Sequence, residues 1–127
     1  RKQCLEVFGN DWPTRDGTCI RDYIHISDLA QGHIKALEFL KKNSSKSLSI
    51  NLGTGQGTSV LELIRIYENT NQIKLNYIFS KRRKGDAPVV VADNKVAKEI
   101  LNWVPKKSIE EMCRDGWNWK LKNPNGY

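Results

Sequence analysis

The sequence predicts an α/β chain, a small mixed sheet with flanking helices. Strand-like and helix-like segments alternate along its whole length, the order that layered sheet-and-helix folds require. Two Ser-x-x-Glu capping boxes, Ser59 with Glu62 and Ser108 with Glu111, each precede an apolar stripe at helical spacing. The chain has 127 residues, enough for one domain, 1–127, with one hydrophobic core.

Residues 1–8 read as a strand, and Gly9 to Gly17 as a loop rich in Asn, Asp, Pro and Gly. Ile20 to Ile26 is apolar and β-prone. Ser27 or Asp28 then caps a helix to about Lys42, with Ala30, Ile34, Leu37 and Leu40 on one stripe, stopped by Asn43-Ser44-Ser45. Leu48 to Leu52 reads as a short strand, and Gly53-Thr54-Gly55-Gln56-Gly57 as a turn. The Ser59 helix buries Val60, Leu63, Ile64 and Tyr67. Leu75 to Phe79 alternates as a strand, a basic loop covers 80–88, and Val89-Val90-Val91 is extended. Asp93 caps a short helix carrying Val96, Ala97, Ile100 and Leu101. The last helix presents Ile109, Met112, Cys113 and Trp117 and stops at Asn123-Pro124-Asn125-Gly126.

Hydrophobic residues make up 39% and charged residues 28%, the balance of a soluble globular protein. No run of about 18 apolar residues occurs, so neither a transmembrane helix nor a membrane partner is expected. The chain lacks an initiator Met and a signal-peptide stretch, and a strand begins almost at once, as expected of a chain cut from something longer. Cys4, Cys19 and Cys113 are odd in number and widely spaced, which points to reduced thiols and a cytoplasmic location rather than to disulfides or zinc. The net charge is +7, and Lys81-Arg82-Arg83-Lys84 is its densest cluster. Nucleic acid is not the expected partner, because stacking aromatics are sparse among these basic residues.

Two motifs suggest chemistry and do not carry it. The glycine turn falls short of a dinucleotide fingerprint: its third glycine, Gly57, comes one residue early, and no strand-ending acid follows about 20 residues later. Tyr77 and Lys81 have the Tyr-x-x-x-Lys spacing of a proton-transfer pair, but on a strand residues four apart are about 13 Å apart. His25 and His33 read as hydrogen-bonded structural residues. No catalytic, metal-ligating or cofactor-binding residue is assigned.

What remains is a set of loops suited to a diphosphate. Arg21 follows Asp16-Gly17-Thr18 at a strand edge, and Arg82 and Arg83 open a loop closed by Gly85-Asp86. Guanidinium groups bind phosphate oxygens through paired hydrogen bonds, so two from separate loops suit a clamp. Asp86 suits the vicinal hydroxyls of a ribose. The competing reading for each arginine is a surface ion pair, worth under about 1 kcal/mol.

Several stretches resemble UDP-glucose 4-epimerases, which are extended short-chain dehydrogenases/reductases. They are Val7 to Thr14, Asp16-Gly17-Thr18, Arg21-Asp22-Tyr23-Ile24-His25-Ile26, Asp28-Leu29-Ala30, Gly32-His33, Asn51 to Gly55, Arg82-Arg83 with Gly85-Asp86, and the tail from Glu110 to Asp115 and Lys122 to Tyr127. The resemblance implies the carboxy-terminal, substrate-binding part of an NAD(P)-binding Rossmann-type enzyme. It implies that NAD and the catalytic Tyr/Lys pair belong to an amino-terminal Rossmann half, and that no cofactor binds this chain alone. UDP-glucose and UDP-galactose are the implied ligands, with the Rossmann half and a homodimer as implied partners. By position, Glu6, Val7 and Phe8 line a uracil pocket, Arg21 and Arg83 meet the diphosphate, Asp86 binds the ribose, and Tyr23 and Val60 form the nucleotide wall. Val90 stands where an aromatic residue touches the sugar in such enzymes, and Lys81 and Lys84 flank the arginines where proline is usual. The segment from Asp28 through Gly53 would pack onto the Rossmann sheet. A standalone nucleotide-sugar-binding module, or another nucleotide-sugar epimerase or dehydratase, is the alternative.

Overall fold

The computed structural model describes residues 4–43 and 47–126. The first residues of the expected first strand, the helix stop at 44–45 and the tail match at residue 127 therefore lie outside the described residues. The order is β1 (Leu5–Phe8), β2 (Ile20–Arg21), α1 (Ile26–Lys42), β3 (Thr58–Ser59), α2 (Val60–Asn71), β4 (Tyr77–Ser80), β5 (Val89–Val90), α3 (Lys95–Leu101) and α4 (Ile109–Lys122). Two small sheets form. In one, β1 runs parallel to β4, with Leu5 opposite Tyr77 and Phe8 opposite Ser80. In the other, β2 lies between antiparallel β3 and parallel β5, placing Arg21 opposite both Thr58 and Val90. The α/β class with a mixed sheet and flanking helices is the observed one.

Both capping boxes form. The Ser59 hydroxyl accepts the Glu62 amide at 3.1 Å while the Glu62 carboxylate accepts the Ser59 amide at 2.8 Å, and Ser108 and Glu111 do the same for α4. These two helices pack on each other. Tyr67 and Trp117 meet edge to face at 6.3 Å, and the Asn71 amide donates to the Cys113 carbonyl at 3.3 Å.

Several expectations need correction. The strand expected over Ile20 to Ile26 stops at Arg21, because the next side chain takes over the hydrogen bonding. One oxygen of the Asp22 carboxylate accepts the Thr54 amide at 2.9 Å and the Thr54 hydroxyl; the other accepts the Gly55 amide at 2.9 Å and the Ala92 amide at 3.3 Å. Helix α1 is capped by His25, whose Nδ1 accepts the Ser27 amide at 3.1 Å, not by Ser27 or Asp28. The buried Asp28 carboxylate instead accepts the Lys106 and Lys107 amides at 2.9 and 2.8 Å, and the Asp28 carbonyl accepts the Trp103 indole N–H at 3.1 Å. Leu48 to Leu52 forms no strand, having no strand beside it among the described residues; Ile50 and Leu52 pack on the Ala97, Leu101 and Trp103 core instead.

The apolar stripe of α1 lies away from the Trp103 core. Ile34, Leu37 and Leu40 face outward, with Leu37 60% exposed. The inward face is Gly32, Ala36 and Phe39, the last two against the Trp103 core. Gly32 sits so close to Leu52 that an added Cβ would lie 2.6 Å from Leu52 Cδ1, which is why a side-chain-free residue marks the buried face. At the short helix α3 the N-cap position is Asn94, and Asp93 contributes by accepting the Lys95 amide at 3.1 Å.

Glu62 gives the fold a pH signature. A hydrogen-bonded ion pair with Arg15, whose Nε is 2.6 Å away, brings the Glu62 carboxyl from an ordinary 4.5 to about 2, against the opposing effect of burial. A carboxyl depressed on folding stabilises fully above its unfolded pKa and loses that contribution as pH falls through its folded one. Urea stability of the chain should therefore fall as pH drops from about 5 to about 2, and Glu62→Gln should flatten that part of the profile. An unaltered slope in Glu62→Gln would show that the pairing does not matter. Asp22→Ala should cost about 1–3 kcal/mol in urea denaturation, since it leaves the Thr54, Gly55 and Ala92 amides without their acceptor. A cost under about 0.5 kcal/mol, the range of an ordinary surface change, would contradict this role.

Candidate functional site

Strands of both sheets contribute to one cleft. Strand β1 supplies Glu6, Val7 and Phe8, β2 supplies Arg21, the segment after it supplies Tyr23, the first residue of α2 is Val60, and the loop before β5 brings Arg83 and Asp86. All eight residues singled out in the sequence line this cavity of about 240 Å³. Cys19 lines it as well and was missed. Its signal was its place immediately before β2, one residue from the strand that carries Arg21. Cys19 and Ile20 are both buried.

The two arginines are held differently. Arg21 Nη1 donates to the Ile20 and Ala87 carbonyls, both at 2.8 Å, and Nη2 lies 3.8 Å from Asp86 Oδ1. Arg83 stacks its guanidinium 4.7 Å over the Phe8 ring and reaches Asp86 twice, Nε to Oδ2 at 3.0 Å and Nη2 to Oδ1 at 3.3 Å. The Arg21 side chain is 25% exposed and that of Arg83 60%. Arg21 is thus anchored by its own backbone surroundings, whereas Arg83 depends on Asp86 and an aromatic face, both at the cleft. Arg82 points elsewhere, 4.0 Å over the Trp12 ring and 2.7 Å from Asp11.

Neighbouring polar groups fix the frame. The Asp16 carboxylate accepts the Thr18 amide at 3.0 Å, the Thr18 hydroxyl at 2.7 Å and the Ser59 hydroxyl, tying the loop before β2 to the start of α2. Burial works against its charge, yet these hydrogen bonds hold the Asp16 carboxyl below its ordinary pKa. Burial pushes the Tyr23 phenol above its ordinary 10, against the lowering field of Arg21, so at neutral pH it is a protonated wall and hydrogen-bond donor rather than a base.

The motifs set aside as chemistry are placed accordingly. Tyr77 sits on β4 and Lys81 in the loop after it, not on one helix. In the glycine turn, the Thr54 and Gly55 amides already donate to Asp22, and the Gln56 amide donates to Thr54 Oγ1 at 3.1 Å. A Cβ on Gly53 would lie 2.6 Å from Asp22 Oδ2, and one on Gly57 2.5 Å from Ile20 Cγ2. Gly53 and Gly57 make room for the chain's own atoms, and three amides of the turn, those of Thr54, Gly55 and Gln56, are already taken, a poor fit to a dinucleotide phosphate. His33 Nδ1 lies 2.8 Å from the Leu29 carbonyl, and buried His25 adds a 3.1 Å contact from Nε2 to Asp115. Among the described residues no three His, Cys, Asp or Glu side chains are grouped to hold a metal, and no helix is long and apolar enough to cross a membrane. A larger cleft of about 640 Å³ lies beyond Tyr23, beside Thr54, Lys98 and Lys107. It has no arginine in its lining, and its lysines are all exposed.

Comparison with known proteins places the chain in a family. The family model described as GDP-mannose 4,6 dehydratase matches residues 1–116. A UDP-glucose 4-epimerase of Cyamopsis tetragonoloba is 51% identical over 127 residues, and one of Bacillus subtilis (strain 168) 50% identical over 123 residues. These matches cover 100% and 97% of this chain, which spans 36% of the length of each relative. A crystal structure of UDP-glucose-4-epimerase from Stenotrophomonas maltophila, with bound NAD and formylated UDP-arabinopyranose, superposes with a TM-score of 0.88 at 44% identity, over 95% of this chain and 36% of that one. The enzyme from Bifidobacterium longum, in complex with NAD+ and UDP, gives 0.89 at 38% identity, over 99% and 37%. With the family model spanning most of the chain and near-half identity along its length to UDP-glucose 4-epimerases, the chain belongs to this family of extended short-chain dehydrogenases/reductases.

Proposed function

We propose that this chain is the UDP-sugar-binding part of a UDP-glucose 4-epimerase and grips the nucleotide while chemistry proceeds on residues it does not contain. The observation that carries the reading is the convergence of Arg21 and Arg83, from separate segments, on one cleft with Asp86 between them. In this reading Arg21 and Arg83 bind the pyrophosphate, Asp86 the ribose hydroxyls, and Glu6, Val7 and Phe8 the uracil, with Tyr23 and Val60 as the wall. Val90, an exposed aliphatic residue on β5, offers no aromatic face to the hexose.

The division of labour has a physical logic. Interconverting UDP-glucose and UDP-galactose moves a hydride off and onto C4 of the sugar, and NAD in the full-length relatives supplies the place where that hydride rests. The sugar must present both faces in turn, so it has to be loosely held. Binding energy from the non-reacting nucleotide then keeps the substrate in place. Arg21 is suited to be the fixed half of this grip and Arg83 the half that turns from Asp86 to the incoming phosphate. NAD is not a ligand of this chain in this reading, since the Thr54, Gly55 and Gln56 amides of its glycine turn are already taken by Asp22 and Thr54. The three free cysteines suit a reducing, cytoplasmic setting.

Calorimetry tests this directly. The chain should bind UDP and UDP-glucose, and NAD should give no heat. Arg21→Ala and Arg83→Ala should each weaken UDP binding by roughly 10-fold or more, in line with charge-assisted hydrogen bonds worth about 1.5–3 kcal/mol. NAD binding without UDP binding would overturn the assignment.

A further inference from the structure

We infer that Lys81 and Lys84 form an electrostatic collar that speeds capture of an anionic nucleotide by the cleft. The inference rests on the nucleotide-binding reading above and adds a role for two residues which that reading leaves idle. Consecutive Cα atoms are about 3.8 Å apart, so Lys84 is one step and Lys81 two steps from Arg83. Both positions thus fall within about one screening length, 8 Å at physiological salt, of a residue lining the cleft. Both are exposed, and among the described residues neither has an acidic partner within ion-pair distance.

The other charges there are largely matched. Arg82 is neutralised by Asp11 and lies on Trp12. Arg21 and Arg83 share Asp86, and the Glu6 carboxylate lines the same cleft. Lys81 and Lys84 therefore add positive charge beside the cleft without an ion-pair partner among the described residues. Unmatched charge at the mouth of a site acts on a ligand before contact: it raises the encounter rate and weakens with salt, whereas buried, hydrogen-bonded charges control the rate of release. Lysine suits this role because its ammonium is a hydrated point charge on a flexible stem, with no geometry to satisfy.

The test is stopped-flow capture of UDP by the 127-residue chain, parent against Lys81→Gln/Lys84→Gln, across a salt series. At about 20 mM salt the double variant should associate roughly five- to tenfold more slowly, with release changed less than about twofold. At about 0.5 M salt the two association rates should converge. Lys81→Arg/Lys84→Arg should keep the parent rate, and uridine, which carries no phosphate, should associate equally with all three. A low-salt association rate unchanged in the Gln variant, or a loss confined to release, would overturn the collar while leaving the nucleotide site standing. A parent chain that captures no UDP at all would overturn the nucleotide reading and the collar with it.

Discussion

Two guanidinium groups facing one cleft repel each other, and Asp86 is the charge that lets them stay. Arg83 holds it with a two-point hydrogen bond and Arg21 approaches it to 3.8 Å. In the proposed reading a pyrophosphate replaces the carboxylate against the same donors, without the arginines having to be gathered first. Such preorganisation lowers the ordering cost of binding. The remaining architecture serves that contact. Strand β2 carries Arg21 between two partner strands, and Asp22, the next residue, clamps the glycine turn and the end of β5 to it.

The same economy explains the loops. Asp16, Asp22 and Asp28 are all acidic, and each collects backbone amides or hydroxyls from a distant part of the chain. A carboxylate has two oxygens and several lone pairs, so one side chain can end a strand and hold two loops. Through these three residues, short and irregular segments keep a fixed shape around a cleft that regular strands alone, two to four residues long, would not define.

How much of this was legible in the sequence depended on the range of the interaction. The capping boxes of α2 and α4 were legible because Ser59 with Glu62 and Ser108 with Glu111 are three residues apart and need nothing else. The face of α1 was not, because the helix carries apolar residues on two sides and periodicity cannot say which meets the core; Gly32 against Leu52 decides it, a contact between distant positions. Leu48 to Leu52 had the composition of a strand, but a strand is a relation between segments and none lies beside it among the described residues. The site residues were legible mainly as a motif set resembling one family, and the cleft then gathered all of them. The split roles of Arg82 and Arg83 were hidden, since adjacent residues of one type gave no hint that Trp12 and Asp11 would claim the first.

The central claim is one of place: the pyrophosphate of a uridine nucleotide lies between Arg21 and Arg83. A crystal structure of the chain with UDP is its most direct test. The account predicts phosphate oxygens within hydrogen-bonding distance of both guanidinium groups, with the base against Phe8 and the ribose beside Asp86. UDP bound instead in the larger cleft beside Lys98 and Lys107, with Asp86 still paired to both arginines, would contradict it.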